Sequence, residues 1–219
     1  MQKIILLVVL IASMAMVKPR KTRVIFFGDS ITQMGVNKGG YIDRIQTMVN
    51  DLGQQNKYEL TGAGIGGNKV YDLYLRLEED VLNKKPSVAV IWVGVNDVWH
   101  KTSGIGTDIV KYEKFYVALI KKMQAKKIKV ILVTPAAIGE KRNGDNPQDK
   151  DLDAYSDVIR KLSGQYNCSL VDLRKIFMQY GVDNNPDNKE SGILTTDRVH
   201  LNEKGNQMVA EEMWKVLAN

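Results

Sequence analysis

From Arg23 onward the chain alternates short, continuous apolar runs with longer stretches in which apolar residues recur every three or four positions. Val24-Ile25-Phe26-Phe27 is apolar at every position. A strand covered on both faces reads this way, because successive side chains point to opposite sides of the sheet. Val88 to Val93 and Ile128 to Val133 repeat the pattern, Leu170-Val171 is a shorter version and Tyr58-Glu59-Leu60 a weaker one. Between these runs the spacing turns helical: Ile42, Ile45, Val49 and Leu52; Val70, Leu73, Tyr74, Leu77 and Val81; Tyr112, Leu119, Ile120 and Met123; Leu152, Tyr155, Ile159 and Leu162. A last stripe through Val209, Met213, Val216 and Leu217 follows Asn202, a residue type suited to N-capping. Strands and helices alternating at this length predict βα units around a parallel sheet. Residues 139–150 and 183–192 carry neither period and are rich in Gly, Asn, Asp and Pro, so both are expected as loops.

Ligands of an open parallel sheet gather beyond the carboxyl ends of its strands. Four polar or glycine clusters fall there: Gly28-Asp29-Ser30, the stretch Gly62 to Asn68, Gly94-Val95-Asn96-Asp97, and Asp197 to His200. A serine hydroxyl is a weak nucleophile until a base takes its proton, and the chain offers two histidines, His100 and His200. His200 stands three residues after Asp197, so the carboxylate can hold one ring nitrogen while the other faces a hydroxyl. Acyl transfer also needs donors aimed at an oxyanion. The Ser30 N–H, the backbone at Gly66-Gly67 and the Asn96 amide are the candidates. Asp29, Trp99, His100 and Thr134 adjoin these clusters and are expected to rim the cleft, with the 139–150 loop as a lid or sugar contact. Two other readings use the same residues. Gly62-x-Gly64-x-x-Gly67 has the form of a dinucleotide fingerprint, but no acidic residue closes the next strand, where Val93 leads to Gly94. The Gly-x-Ser-x-Gly elbow of the α/β-hydrolases does not occur.

Composition narrows the field. The 219 residues, 44% hydrophobic and 26% charged, suit one globular domain with a short extension. Cys168 is the single cysteine, so neither an internal disulfide nor a cysteine zinc cluster is available, and beside Leu170-Val171 it reads as a small core residue. The formal charge is +6, but the densest lysines, Lys121-Lys122 and Lys126-Lys127, end a helix and complement its dipole, so no nucleic-acid partner is expected. At the N-terminus Lys3 precedes an apolar run from Ile4 to Val17, followed by Lys18-Pro19-Arg20-Lys21. The run is shorter than the roughly 20 residues that span a bilayer. It reads as a secretory signal with a small pair, Ser13 and Ala15, or as an uncleaved anchor. Residues 1–20 are therefore set apart from a folded domain over 21–219. The protein is expected to be secreted, periplasmic or envelope-associated, touching a membrane only through that segment.

With these residues in view, the chain resembles the SGNH hydrolases, the GDSL esterase/lipase family, from Arg23 to Leu217. Gly28-Asp29-Ser30-Ile31-Thr32 looks like the first family block, Gly62 to Gly67 the second, Gly94-Val95-Asn96-Asp97 the third and Asp197-Arg198-Val199-His200 the last. The resemblance implies a three-layer α/β/α sandwich with a flavodoxin-like parallel sheet. It implies catalysis by Ser30, Asp197 and His200, an oxyanion hole of Ser30, Gly67 and Asn96, and no metal or cofactor. The implied reaction is hydrolysis of carboxylic esters with short acyl groups, acetyl esters of carbohydrates among them. A lysophospholipase or thioesterase of the same family, or a non-catalytic glycan-binding member, are the alternatives. One departure stands out: the asparagine that commonly opens the second block is Gly62, so a supporting hydrogen bond is expected to be missing or replaced.

Overall fold

The computed structural model describes residues 20–218. Five strands, β1 (Thr22–Gly28), β2 (Tyr58–Gly64), β3 (Val88–Trp92), β4 (Lys129–Val133) and β5 (Ser169–Val171), pair in parallel in the order β2-β1-β3-β4-β5. This is the flavodoxin-like order, in which the chain reverses direction across the sheet between β1 and β3. β3 is buried at all five positions, as its unbroken apolar run requires. β2 lies at an edge and buries none of its residues fully, which explains its weak hydrophobic signal.

The connections are α1 (Ser30–Gly35), α2 (Tyr41–Asp51), α3 (Val70–Leu77), α4 (Val95–Trp99), α5 (Ile109–Ala125), α6 (Asp149–Gln165), α7 (Leu173–Asn184) and α8 (Glu203–Leu217). They form two outer layers. α2 packs with α8 on one face, and α3 with α5 and α5 with α6 on the other. The two-residue period of the strands sorts side chains between them. Phe26 and Trp92 both meet the ring of Tyr41 on α2, whereas Phe27 lies under the guanidinium of Arg76 on α3. Tyr112 and Tyr116 of α5 donate their hydroxyls to the Val93 carbonyl, satisfying a buried acceptor at the end of β3. The protein is thus a three-layer α/β/α sandwich, as its resemblance to the SGNH hydrolases implies.

Some sequence expectations shift. Leu52 lies one residue past α2 and is 57% exposed, because the helix has already ended. α6 starts at Asp149, two residues inside the expected loop, and α7 runs into Asp183. α7 itself was not legible: it buries only Leu173, Arg174 and Phe177, too few apolar residues to make a stripe. The lysines Lys121, Lys122, Lys126 and Lys127 are exposed at the end of α5, and Cys168 is free and half-buried. No helix among the described residues is long and apolar enough to cross a membrane. The leader or anchor expected at residues 1–20 lies outside them, except Arg20.

Candidate active site

The β1–α1 junction sets the first reactive group. Asp29 N-caps α1, its Oδ1 accepting the Ile31 N–H at 3.0 Å, so Ser30 begins the helix with its side chain partly exposed. Thr32, two residues on, is buried and accepts the Tyr41 hydroxyl at 3.0 Å. Gly28 and Gly64 allow the close approach this needs. A Cβ on Gly28 would run into Thr32 and the Trp92 carbonyl, and one on Gly64 into the backbone of Gln33 and Thr32. Gly62 is likewise crowded, by Val36. Two of the three fingerprint glycines are therefore explained by contact with α1 and its end rather than by a nucleotide.

At the other end of the chain, an antiparallel bridge between Thr195 and Leu201 closes a hairpin just before α8. Asp197 and His200 sit at its tip. Asp197 Oδ1 accepts the backbone N–H groups of His200 at 2.8 Å and Val199 at 3.1 Å, while Oδ2 lies 2.6 Å from His200 Nδ1. Burial alone would raise the Asp197 carboxyl, but these hydrogen bonds outweigh it and hold the group below the usual carboxylate range. His200 Nε2 then lies 2.9 Å from Ser30 Oγ. With the Nδ1 proton donated to Asp197, the Nε2 lone pair faces the hydroxyl. A hydroxyl, an imidazole and a carboxylate therefore meet across 170 residues of chain.

The candidate donors stand after the carboxyl ends of β1, β2 and β3. The Ser30 N–H belongs to the first turn of α1, where backbone donors lack an intrahelical partner. Gly67 adopts φ +74°, a conformation that favours glycine, with open space where a side chain would stand. Asn96 is 3% exposed and donates from Nδ2 to the Asn68 carbonyl at 3.1 Å, which aims the amide and leaves its second hydrogen for a ligand. Asp97 holds the same loop from the far side, both carboxylate oxygens accepting the Val70 N–H at 3.2 Å. Behind the loop, Arg76 donates to the Gly28 carbonyl at 2.7 Å, to Ala63 at 3.1 Å and to Asn68 Oδ1 at 2.8 Å. This guanidinium, from α3, ties the ends of β1 and β2 to the loop that follows, whereas the space a side chain on Gly62 would take, on the opposite face, is filled by Val36.

The expected rim fares less evenly. Asp29 is 2% exposed and turned inward as the cap of α1, so it presents no face to a ligand. Thr134 is fully buried, donating to Asp172 Oδ1 at 3.2 Å and accepting the Arg174 N–H at 2.9 Å, so it fastens the start of α7 instead. Trp99 and His100 remain partly exposed at the end of α4, one turn beyond Asn96. Burial, then the charge of Lys69, lowers the His100 pKa. The start of the 139–150 loop is pinned to the 183–192 loop, Arg142 N–H to Asn188 Oδ1 at 2.7 Å. With α7 it walls a cavity of about 490 Å³ whose lining includes Phe177 and Met178 but not Ser30, Gly67, Asn96 or His200. Sequence reasoning missed Asp97 and Arg76 as supports, since each acts on backbone atoms remote in sequence. Among the described residues, no group of three or more His, Cys, Asp or Glu could hold a metal ion.

The model of the GDSL-like Lipase/Acylhydrolase family matches residues 26–208. The chain belongs to that family. As a GDSL-like acylhydrolase it is a carboxylic ester hydrolase. It is 60% identical to the crystallised acetyl xylan esterase AlAXEase, covering 89% of this chain and 99% of that one, with a TM-score of 0.88. It is 27% identical over 206 residues to an acetylxylan esterase of Geobacillus stearothermophilus, covering 86% of this chain and 90% of the relative. Over 214 residues it is 29% identical to the uncharacterized lipoprotein YqeF of Bacillus subtilis (strain 168), covering 86% of each.

Proposed function

We propose that this GDSL-like hydrolase removes acetyl groups from hydroxyls of a xylan-type carbohydrate through a serine acyl-enzyme. The observation that carries the reading is the contact of Ser30 Oγ with His200 Nε2 at 2.9 Å, backed by Asp197 at 2.6 Å. Likeness to two acetylxylan esterases supports the substrate class.

Ser30 Oγ attacks the acetyl carbonyl carbon as His200 Nε2 takes the hydroxyl proton, and Asp197 stabilises the imidazolium formed. The carbonyl oxygen, now anionic, is held by the Ser30 and Gly67 N–H groups and the Asn96 amide. The C–O bond to the sugar breaks, and His200 returns the proton to the departing sugar oxygen. Water then attacks the acetyl-serine with His200 as base, releasing acetate and restoring Ser30. No step draws on a metal or cofactor.

The test is turnover of p-nitrophenyl acetate, p-nitrophenyl laurate and acetylated xylooligosaccharides by the purified chain and by Ser30→Ala. Acetate release from the oligosaccharide, lost by several orders of magnitude in the variant with its circular dichroism unchanged, is the expected outcome. Preference for laurate would move the reading to a lipase or lysophospholipase, and wild-type turnover by Ser30→Ala would remove the serine from the mechanism. The apolar run at Ile4–Val17 and the likeness to a lipoprotein support an exported or envelope location, where a polysaccharide substrate would be met.

A further inference from the structure

The hairpin bearing Asp197 and His200 lies in no helix, and the Thr195–Leu201 bridge is its single tie of strand type. A segment of this kind leaves backbone donors that must find other partners. Three of them converge on one side chain. Glu140 Oε1 accepts the N–H groups of Leu194 at 2.6 Å and Thr195 at 2.7 Å, and Oε2 accepts that of Ile193 at 2.8 Å. The neighbouring Gly139 N–H donates at 2.8 Å to the carbonyl of Arg198, inside the turn between Asp197 and His200. Arg198 itself adopts φ +84°, an uncommon conformation for a residue with a side chain, so this turn needs outside support.

Glu140 is in turn well anchored. Its N–H donates to the Glu190 carbonyl at 3.0 Å, and its carbonyl accepts Asn185 Nδ2 at 2.8 Å, with Asn185 fully buried. Residues 139–140 thus grip the hairpin at its approach and near its tip, from a loop that continues out of β4. Charge-assisted bonds from one rigid carboxylate to three consecutive amides fix position better than neutral contacts do.

We propose that Glu140 is a positioning residue for the general base: through the 193–195 backbone it sets the place of the Asp197–His200 turn, and so the reach of Nε2 to Ser30. The inference rests on the esterase reading of that site. Glu140 touches no reacting atom; its effect on rate passes through geometry alone.

The full chain is compared with Glu140→Gln and Glu140→Asp. Gln keeps the shape but turns an NH2 toward backbone donors, and Asp keeps the carboxylate on a shorter stem. Three quantities are read: kcat and KM on p-nitrophenyl acetate, the melting midpoint, and the low-field proton resonance of His200 Nδ1–H in substrate-free protein. Expected in Glu140→Gln are a kcat lower by about 10²-fold with KM within about twofold, and a shifted or exchange-broadened resonance, below the melting midpoint. Glu140→Asp recovers part of both. A folded Gln variant with wild-type kcat and an unchanged resonance overturns the proposal and leaves Glu140 as a fold staple. Should Glu140→Gln not fold, the same two readings on Glu140→Asp decide, a wild-type kcat and resonance again overturning it. If the wild type shows no Ser30-dependent turnover, the esterase reading fails, while the resonance still decides whether Glu140 places the His200–Asp197 pair.

Discussion

Asp29 and Asp97 lie against the site yet are almost fully shielded from water, and their chemistry runs opposite to that of Asp197. Burial pushes the Asp29 carboxyl up to about 7, against the pull of the Ile31 N–H, and Asp97 up to about 6, against the Val70 N–H and the charge of Lys69. Each holds its proton in the folded protein at a pH where the unfolded chain, with a carboxyl near 3.8, has released it. Their contribution is therefore full below about pH 4 and lost as pH rises through the folded values, whereas the lowered Asp197 contributes above the ordinary carboxylate range and loses that on acidification. Asp29→Asn keeps an oxygen for the Ile31 cap and cannot ionise. Its melting midpoint relative to wild type should rise between pH 5 and pH 8 by at least about 3 °C, equivalent to about 1 kcal/mol in a domain of this size. An unchanged difference would mean that Asp29 is not shielded. Asn96 belongs to the same scale: Asn96→Ala should cost about 10²–10³ in kcat with little change in KM, and an effect confined to KM would contradict an oxyanion role.

Among the elements, the decisive junctions are those where a strand end meets a helix start. α1, α4 and the loop before α3 each begin within one or two residues of a strand or its turn, so sheet register places Ser30, Asn96 and Gly67 without long loops. Arg76 ties two of these junctions, reaching Gly28 after β1 and Ala63 and Asn68 around the end of β2. Lysine cannot reproduce that planar fork. Arg76→Lys should lower stability by about 1–3 kcal/mol as buried carbonyls lose donors, read as a shift in the urea midpoint at constant m. The same variant should slow kcat, since the loop carrying Gly67 loses its support. A wild-type midpoint would assign those carbonyls to other partners. How much of this was legible follows from where each signal lies. α2, α3, α5, α6 and α8 announce themselves by repeated apolar positions. α7 does not, because Arg174, held by Asp149 at 2.8 Å and Asp153 at 2.6 Å, occupies a position in its buried stripe.

For the molecule as a whole, the sheet collects at its carboxyl rim groups from residue 30 to residue 200, the separation the Ser30–His200 contact bridges. In the proposed mechanism such a site supplies nucleophile, base and electrostatic donors from the chain itself. Dialysis against EDTA should therefore leave ester turnover unchanged, and loss restored by a divalent cation would require a metal in the reaction. The four clusters at that rim were legible from residue order, as was the Asp197–His200 pairing, because a spacing of three is a local property. The partners of Thr134 and Asp29 were not: position beside a strand end says nothing about which way a side chain turns.

The amino-acid order by itself determined the parallel sheet, most of its helices and which polar clusters gather at its rim, because strand and helix periods and short motifs are written within a few consecutive residues. Tertiary structure alone decided that Asp29 and Thr134 face inward, that Arg76 ties the ends of β1 and β2 together, and that Glu140 grips a hairpin 53 to 55 residues away. Those outcomes depend on hydrogen-bond geometry between distant segments. No local pattern encodes it, and only the packed chain brings the partners within reach.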